Sequence, residues 1–305
     1  MITWLVLIIS LIGIIYSANI LIDGSSEIAK RFNISNFIIG ALIVGVGTSL
    51  PEFVVSLTST IQHNYDIAIG NIVGSNIFNV FGILGITALI FPIKFNDVNS
   101  KFDISFCMVI TMLLMIFIFN SATECLHWFE GIMLLLMFAF YIWFSFKDSK
   151  PNGVETTTMP IWLSIIKIIA GLSILIISCK YFIDISILIA RNIGLSEATI
   201  GLTLVACGTS LPELAASIAA ACKKNPDIAV GNIVGSNIFN ICLILGTCSI
   251  FGGKITSPEI SYVDYFILLS GAFLVLACAD KGKMSRMMGL IMLIIFSLYV
   301  TFLCI

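Results

Sequence analysis

The sequence predicts an all-α integral membrane protein of ten transmembrane helices, arranged as two inverted five-helix repeats with helices 2 and 7 broken. Three observations carry this expectation. Of 305 residues, 59% are hydrophobic and only 10% charged, against roughly 25% charged in an ordinary soluble domain. The apolar residues come in runs that approach the about 20 residues needed to cross a bilayer. A block of 46 residues occurs twice. The same composition excludes other classes. Net charge is −2, so no basic excess is present for nucleic acid. The nine cysteines include no CxxC pair, which argues against a disulfide scaffold or a clustered metal site; most fall in apolar runs as small buried hydrophobes.

The spans run approximately over 2–22, 36–60, 67–92, 104–120, 128–146, 161–182, 197–221, 228–252, 264–279 and 287–305. The first run lacks a basic n-region and a clear cleavage site, so it reads as a retained helix. The longest polar break, Lys147 to Pro160, divides the chain into a first repeat over 1–147, a cytoplasmic linker over 148–160 and a second repeat over 161–305. Orientation follows from Lys and Arg counted on alternate sides. Loops after spans 1, 3, 5, 7 and 9 carry eleven basic residues, whereas the opposite side has only Lys180, Arg191 and Lys254. The basic side is expected in the cytoplasm of a cell membrane, which puts both termini outside.

The repeat is the most informative feature. Gly40–Gly85 aligns with Gly201–Gly246 at a constant offset of 161 without a gap, and 26 of 46 positions are identical. GTSLPE occurs at Gly47–Glu52 and Gly208–Glu213, and GNIVGSNIFN at Gly70–Asn79 and Gly231–Asn240. Each repeat holds an odd number of spans, so the second copy enters the membrane from the opposite side. Inverted repeats of this kind belong to secondary transporters, whose site lies at the repeat interface near the bilayer centre. Duplication for packing alone would not single out polar blocks as the best-matched parts.

Within those blocks Glu52 and Glu213 are the only carboxylates deep in an apolar span, and no Lys or Arg occupies spans 2, 3, 7 or 8. A charge at mid-bilayer costs roughly 3 kcal/mol or more and marks a functional site. Two unpaired acids meeting across a symmetry axis call for a counter-ion, and a transported cation is the candidate. Thr48 and Ser49 lie four and three residues before Glu52, as Thr209 and Ser210 do before Glu213, spacings that share one helix face. Pro51 and Pro212 disfavour a continuous helix there, predicting broken helices with free carbonyls. Carboxylate, hydroxyl and carbonyl oxygens are the ligands of Ca2+, and Na+ uses the same oxygens. Ser75 and Asn79, like Ser236 and Asn240, are four apart and face one direction. Asn71 and Asn232 read as interhelical hydrogen-bonding amides. His63 and His127 fall at external span ends as solvated residues, Asp23 and Asp184 as interfacial helix-end charges. No Walker A sequence is present.

The paired GTSLPE and GN-x-x-GSN blocks resemble the alpha repeats of the calcium/cation antiporter superfamily, above all prokaryotic sodium/calcium exchangers, over nearly the whole chain. The resemblance implies a ten-helix inverted-repeat fold with cation sites among helices 2, 3, 7 and 8, and helices 1 and 6 sliding across that core. It implies central carboxylates at Glu52 and Glu213, with further oxygens from Thr48, Ser49, Thr209 and Ser210. The carbonyls of Gly45 and Ala206 fall at the family's backbone ligands. Ser75 and Ser236 take outer sodium positions, and Asn79 the amide position of helix 3. Where relatives can carry Asp on helix 8, this chain has Asn240. Two carboxylates then balance one Ca2+, while three Na+ would leave one positive charge in excess.

The expected function is electrogenic Na+/Ca2+ antiport, with Ca2+, Na+ and the bilayer as partners and neither a cofactor nor a protein partner. A proton/cation exchanger of the same fold is the alternative. An intramembrane serine hydrolase using Ser49 or Ser210 is a remote one, since neither histidine lies in a span core to serve as base.

Overall fold

The computed structural model describes residues 2–95, 98–119, 125–147, 159–192, 208–256 and 260–303. These form helices α1 (Ile2–Phe32), α2 (Asn36–Thr48), α3 (Leu50–Ile61), α4 (Tyr65–Ile90), α5 (Val98–Phe119) and α6 (Trp128–Lys147). The second half contributes α7 (Ile161–Asn192), α8 (Leu211–Cys222), α9 (Pro226–Gly252), α10 (Tyr262–Asp280) and α11 (Arg286–Leu303). Among the described residues eight helices are long and apolar enough to cross a membrane, or nine when α2 and α3 count as one bent span. The expected seventh span is described only from residue 208 onward.

Burial sorts the helices. In the most apolar window of α9, 94% of residues are buried, and 78% in that of α4, against 17% in α7 and 11% in α11. The two helices carrying the repeated asparagines and glycines are therefore the centre of the molecule. Their apolar side chains, among them Ile69, Ile72, Ile77, Ile233 and Ile238, are fully buried in the main core with Phe81 and Leu245. On the outside, Trp4, Ile8 and Ile12 of α1 and Trp162 and Ile169 of α7 point outward, as lipid-facing surface does.

α9 lies against α2 with little room between the backbones. A Cβ on Gly231 would stand 2.1 Å from Phe37 O, and one on Gly235 2.4 Å from Ala41 Cα. Only glycine permits that approach. Their repeat counterparts Gly70 and Gly74 have no such close backbone neighbour among the described residues.

α1 and α7 are longer than their apolar runs suggest, at 31 and 32 residues. Asp23, Ser25, Ser26 and Glu27 stay helical. α1 ends only where Asn33 turns left-handed (φ 54°) and Ser35 caps α2 by accepting from Ile38 N at 3.2 Å. Polar residues mark where α1 leaves the apolar layer, while backbone geometry stops the helix. The two helices pack together through Gly171, whose Cβ would meet Leu21 N at 2.8 Å.

Two short antiparallel clips join the halves. β1 (Ile93–Lys94) pairs with β4 (Lys283–Met284), with Lys94 opposite Lys283. β2 (Cys125–His127) pairs with β3 (Lys254–Thr256), with His127 opposite Lys254. Each clip joins loops that the count of basic residues puts on one side, those after the third and ninth expected spans and those after the fourth and eighth.

Candidate cation site

The site grows from a break in the chain. α2 passes through a π-helical turn at Gly40–Gly45 and ends at Thr48. Ser49 leaves helical geometry (φ −82°, ψ 6°), and α3 departs at 47° to α2. Pro51 sits in the first turn of α3, where its missing N–H is no loss. The second half repeats this locally: Ser210 has φ −89° and ψ 9°, and Pro212 lies in the first turn of α8. Phe53 N donates to Ser49 O at 3.1 Å, and Leu214 N to Ser210 O at 3.1 Å. Glu52 and Glu213 thus stand in the first turns of α3 and α8, where the partial positive charge of a helix N-terminus favours a carboxylate.

The two glutamates are tied to opposite halves. Ser49 Oγ donates to Glu213 Oε1 at 2.8 Å, and Ser210 Oγ to Glu52 Oε1 at 2.9 Å. Helical spacing had put Ser49 beside Glu52. The break removes that shared face and turns the hydroxyl to the acid of the other half.

Asn71 and Asn232 hold the interhelical role expected of them. Asn71 Nδ2 donates to Ser56 Oγ (2.9 Å) and Glu52 O (3.3 Å), while Asn232 Nδ2 donates to Ser217 Oγ (2.9 Å) and Glu213 O (3.2 Å). Their Oδ1 atoms accept from Thr209 and Thr48 at 3.4 and 3.2 Å. Each asparagine therefore braces the backbone of one glutamate and orients a threonine from the opposite half. Ser56 and Ser217 were passed over in the sequence, although they too are identical at the repeat offset. The Gly45 carbonyl accepts from Ser236 Oγ (3.1 Å), Thr48 Oγ1 (3.3 Å) and Ser49 N (3.1 Å). Its counterpart Ala206 lies outside the described residues.

A second layer comes from α4 and α9. Both contain a π-helical turn at equivalent positions, Phe78–Leu84 and Phe239–Leu245, a feature frequent at functional sites. Asn79 and Asn240 are the second residues of these turns. Asn79 Nδ2 donates to Asn237 Oδ1 at 3.0 Å, and Asn240 Nδ2 to Asn76 Oδ1 at 2.9 Å. Asn76 Nδ2 donates in turn to Asn237 O at 3.3 Å. The amide orientations follow from this network. Asn76 and Asn237, which also fall in the repeated block, are what aims the other pair.

Among the described residues these contacts leave five buried oxygens at the centre without a hydrogen-bond partner: Glu52 Oε2, Glu213 Oε2, Asn79 Oδ1, Asn240 Oδ1 and Ser75 Oγ. A buried polar atom left unsatisfied costs about 1–3 kcal/mol, more when charged. Among the described residues no three His, Cys, Asp or Glu side chains cluster, and the acids at this centre are Glu52 and Glu213. An arrangement of acceptor oxygens with no basic side chain is suited to a hard cation. The histidines are elsewhere: His63 is exposed beside Tyr65 OH, and His127 contacts Cys125 Sγ.

Two cavities open beside the long helices α1 and α7, and one of them reaches this centre. One, of about 320 Å3, runs from Cys179, Lys180 and Asp184 of α7 to Pro51, Thr209 and Pro212 at the breaks. The other, about 530 Å3, is lined by Asp23, Glu27, Lys30, Lys167, Lys223 and Asn225. There Lys223 pairs with Asp23 and also donates to Asn19 O at 2.9 Å. Asp23 is thus more than a solvated helix-end charge: it links α1 to the turn between α8 and α9.

Fold and site together define a multi-pass membrane protein with an acidic, oxygen-lined centre. The family model described as sodium/calcium exchanger protein matches residues 2–147 and 163–305, and the chain belongs to that family. It is 32% identical to the sodium/calcium exchanger MaX1 of Methanosarcina acetivorans, over 82% of this chain and 83% of that protein. Identity to the inner membrane protein YrbG of Escherichia coli is also 32%, over 86% and 84%. Among solved structures, the sodium-calcium exchanger NCX_Mj soaked with zero Na+ and Ca2+ superposes with a TM-score of 0.88 at 31% identity, covering 99% of this chain and 98% of that one. The family is one of exchangers and not of enzymes, so the hydrolase reading of Ser49 and Ser210 falls.

Proposed function

We propose that this chain exchanges Na+ for Ca2+ across the cell membrane by alternating access, with both ions bound in turn at the centre of α2, α3, α4, α8 and α9. The carrying observation is the set of five unpartnered buried oxygens, two of them carboxylate, in helices that contain no Lys or Arg. Glu52 and Glu213 supply the charge. Thr48, Ser49, Thr209, Ser210, Ser75, Ser236, Asn79 and Asn240 supply neutral oxygens, and Gly45 and Ala206 their carbonyls. Ca2+ takes 6–8 oxygen ligands, which this set provides without a cofactor.

In this reading the chain has ten spans in two inverted repeats, 1–147 and 161–305, joined by a linker over 148–160, with helices 2 and 7 broken. The reciprocal bonds Ser49–Glu213 and Ser210–Glu52 support it, as do the paired asparagine contacts. Alternating access then moves α1 and α7 across the core, opening one cavity at a time. The Asp23–Lys223 pair must part for the side bearing Lys223 to open. Ca2+ uptake into sealed proteoliposomes driven by an outward Na+ gradient tests the function; no uptake by folded, reconstituted protein would overturn it.

The basic side, carrying Lys94, Lys223 and Lys283, is the cytoplasmic one, and both termini are outside. A cysteine introduced into the Lys147–Pro160 loop, after replacement of the external Cys125, is expected to resist impermeant thiol reagents in intact cells. Ready labelling from outside would reverse the orientation.

A further inference from the structure

A groove outside the transport core has the shape and charge of a lipid site. It lies between α5, α10 and α11, with a volume of about 710 Å3. Along α10 it is lined by Phe266, Ser270, Phe273, Leu274 and Ala277, continuing to Lys281, a spacing that keeps one helix face. Fifteen residues of helix rise about 22 Å, enough to run the about 15 Å of hydrocarbon in one leaflet. Methionines from α5 and α11 form the walls, and their flexible side chains adapt to an irregular occupant.

One end of this apolar groove is basic. Lys281 and Lys283 line it and are exposed, whereas Asp280, the acid of the same turn, is not among the lining residues. Gly282 between them is left-handed (φ 71°) and accepts at its carbonyl from Phe95 N at 3.0 Å. The two lysines are therefore presented on a hydrogen-bonded turn. Lys283 also stands directly opposite Lys94 in the β1–β4 clip. Like charges in that register destabilise a strand pair, and an anion between them removes the penalty.

We propose that this groove binds an anionic phospholipid, with an acyl chain along α10 and its phosphate held by Lys281 and Lys283. Net negative headgroup charge is the recognised feature, each lysine near a membrane surface contributing several-fold to affinity. The leaflet, cytoplasmic, rests on the orientation proposed above; the binding itself does not.

The test uses the full-length purified protein in micelles containing equal amounts of phosphatidylglycerol and phosphatidylcholine with matched chains, with retained lipid counted by native mass spectrometry. The wild type is expected to retain phosphatidylglycerol preferentially. Lys281→Gln with Lys283→Gln should lower that preference by about tenfold to thirtyfold, and Lys281→Arg with Lys283→Arg should keep it. Ala277→Phe, which fills the groove, should lower retention of both lipids. Glycerol phosphate, the headgroup without chains, should displace nothing. Equal retention of the two lipids by the wild type, an unchanged preference in the double glutamine variant, or displacement by glycerol phosphate alone would overturn the proposal.

Discussion

Glu52→Gln and Glu213→Gln each abolish Ca2+ uptake while leaving the purified protein folded. Each acid has one oxygen engaged by a serine of the opposite half and one without a partner. Glutamine is nearly isosteric, and its carbonyl can still accept from Ser210 or Ser49, so the break between helices keeps its packing. The amide nitrogen then puts two N–H donors where the free Oε2 stood, aimed at the cation. A unit charge 4 Å away is worth about 4 kcal/mol at an effective dielectric of 20, which is about a thousandfold in affinity. Initial Ca2+ uptake into proteoliposomes, with size-exclusion profiles as the control for folding, measures it. Near-wild-type flux in either variant would remove the carboxylates from the site.

Asn240→Asp and Asn79→Asp have the next largest effect, on the pH dependence of flux. Either change adds a third carboxylate to a site that now holds two. It also replaces the amide donor that Asn240 gives to Asn76 Oδ1, or Asn79 to Asn237 Oδ1, so that two acceptors face each other. A proton on the new acid restores that hydrogen bond and relieves the like-charge repulsion. Proton competition with Ca2+ therefore strengthens, and the pH of half-maximal uptake moves upward relative to wild type. The two variants shift in the same direction because their contacts are equivalent across the repeats. Unchanged pH profiles in both would take these amides out of the ligand set.

Buried polar positions such as Glu52, Ser75 and Asn79 stand out in the sequence because each recurs at the same offset within blocks that stay polar in an apolar chain. The break itself was legible from Pro51. What the break does to Ser49 was not, because spacing assigns neighbours only along a continuous helix, and Ser49 bonds across the interface instead. The π-helical turns at Phe78–Leu84 and Phe239–Leu245 leave no mark on hydropathy, since they alter the helix period over fewer than two turns. The clip between Ile93–Lys94 and Lys283–Met284 was equally hidden, as two-residue strands carry no alternation. The length of α1 was misjudged because Asp23 to Glu27 read as the end of a span, when only Asn33 ends the helix.

The central claim is that sodium, bound at the same oxygens as calcium, drives the exchange. The most direct measurement is initial Ca2+ uptake into sealed proteoliposomes of the purified protein, compared under an outward Na+ gradient and under a pH gradient with Na+ absent. Uptake that depends on the Na+ gradient and is lost in Glu52→Gln and Glu213→Gln is the predicted result. Uptake driven by the pH gradient alone, and indifferent to Na+, would contradict it and make this chain a proton-coupled exchanger using the same two acids.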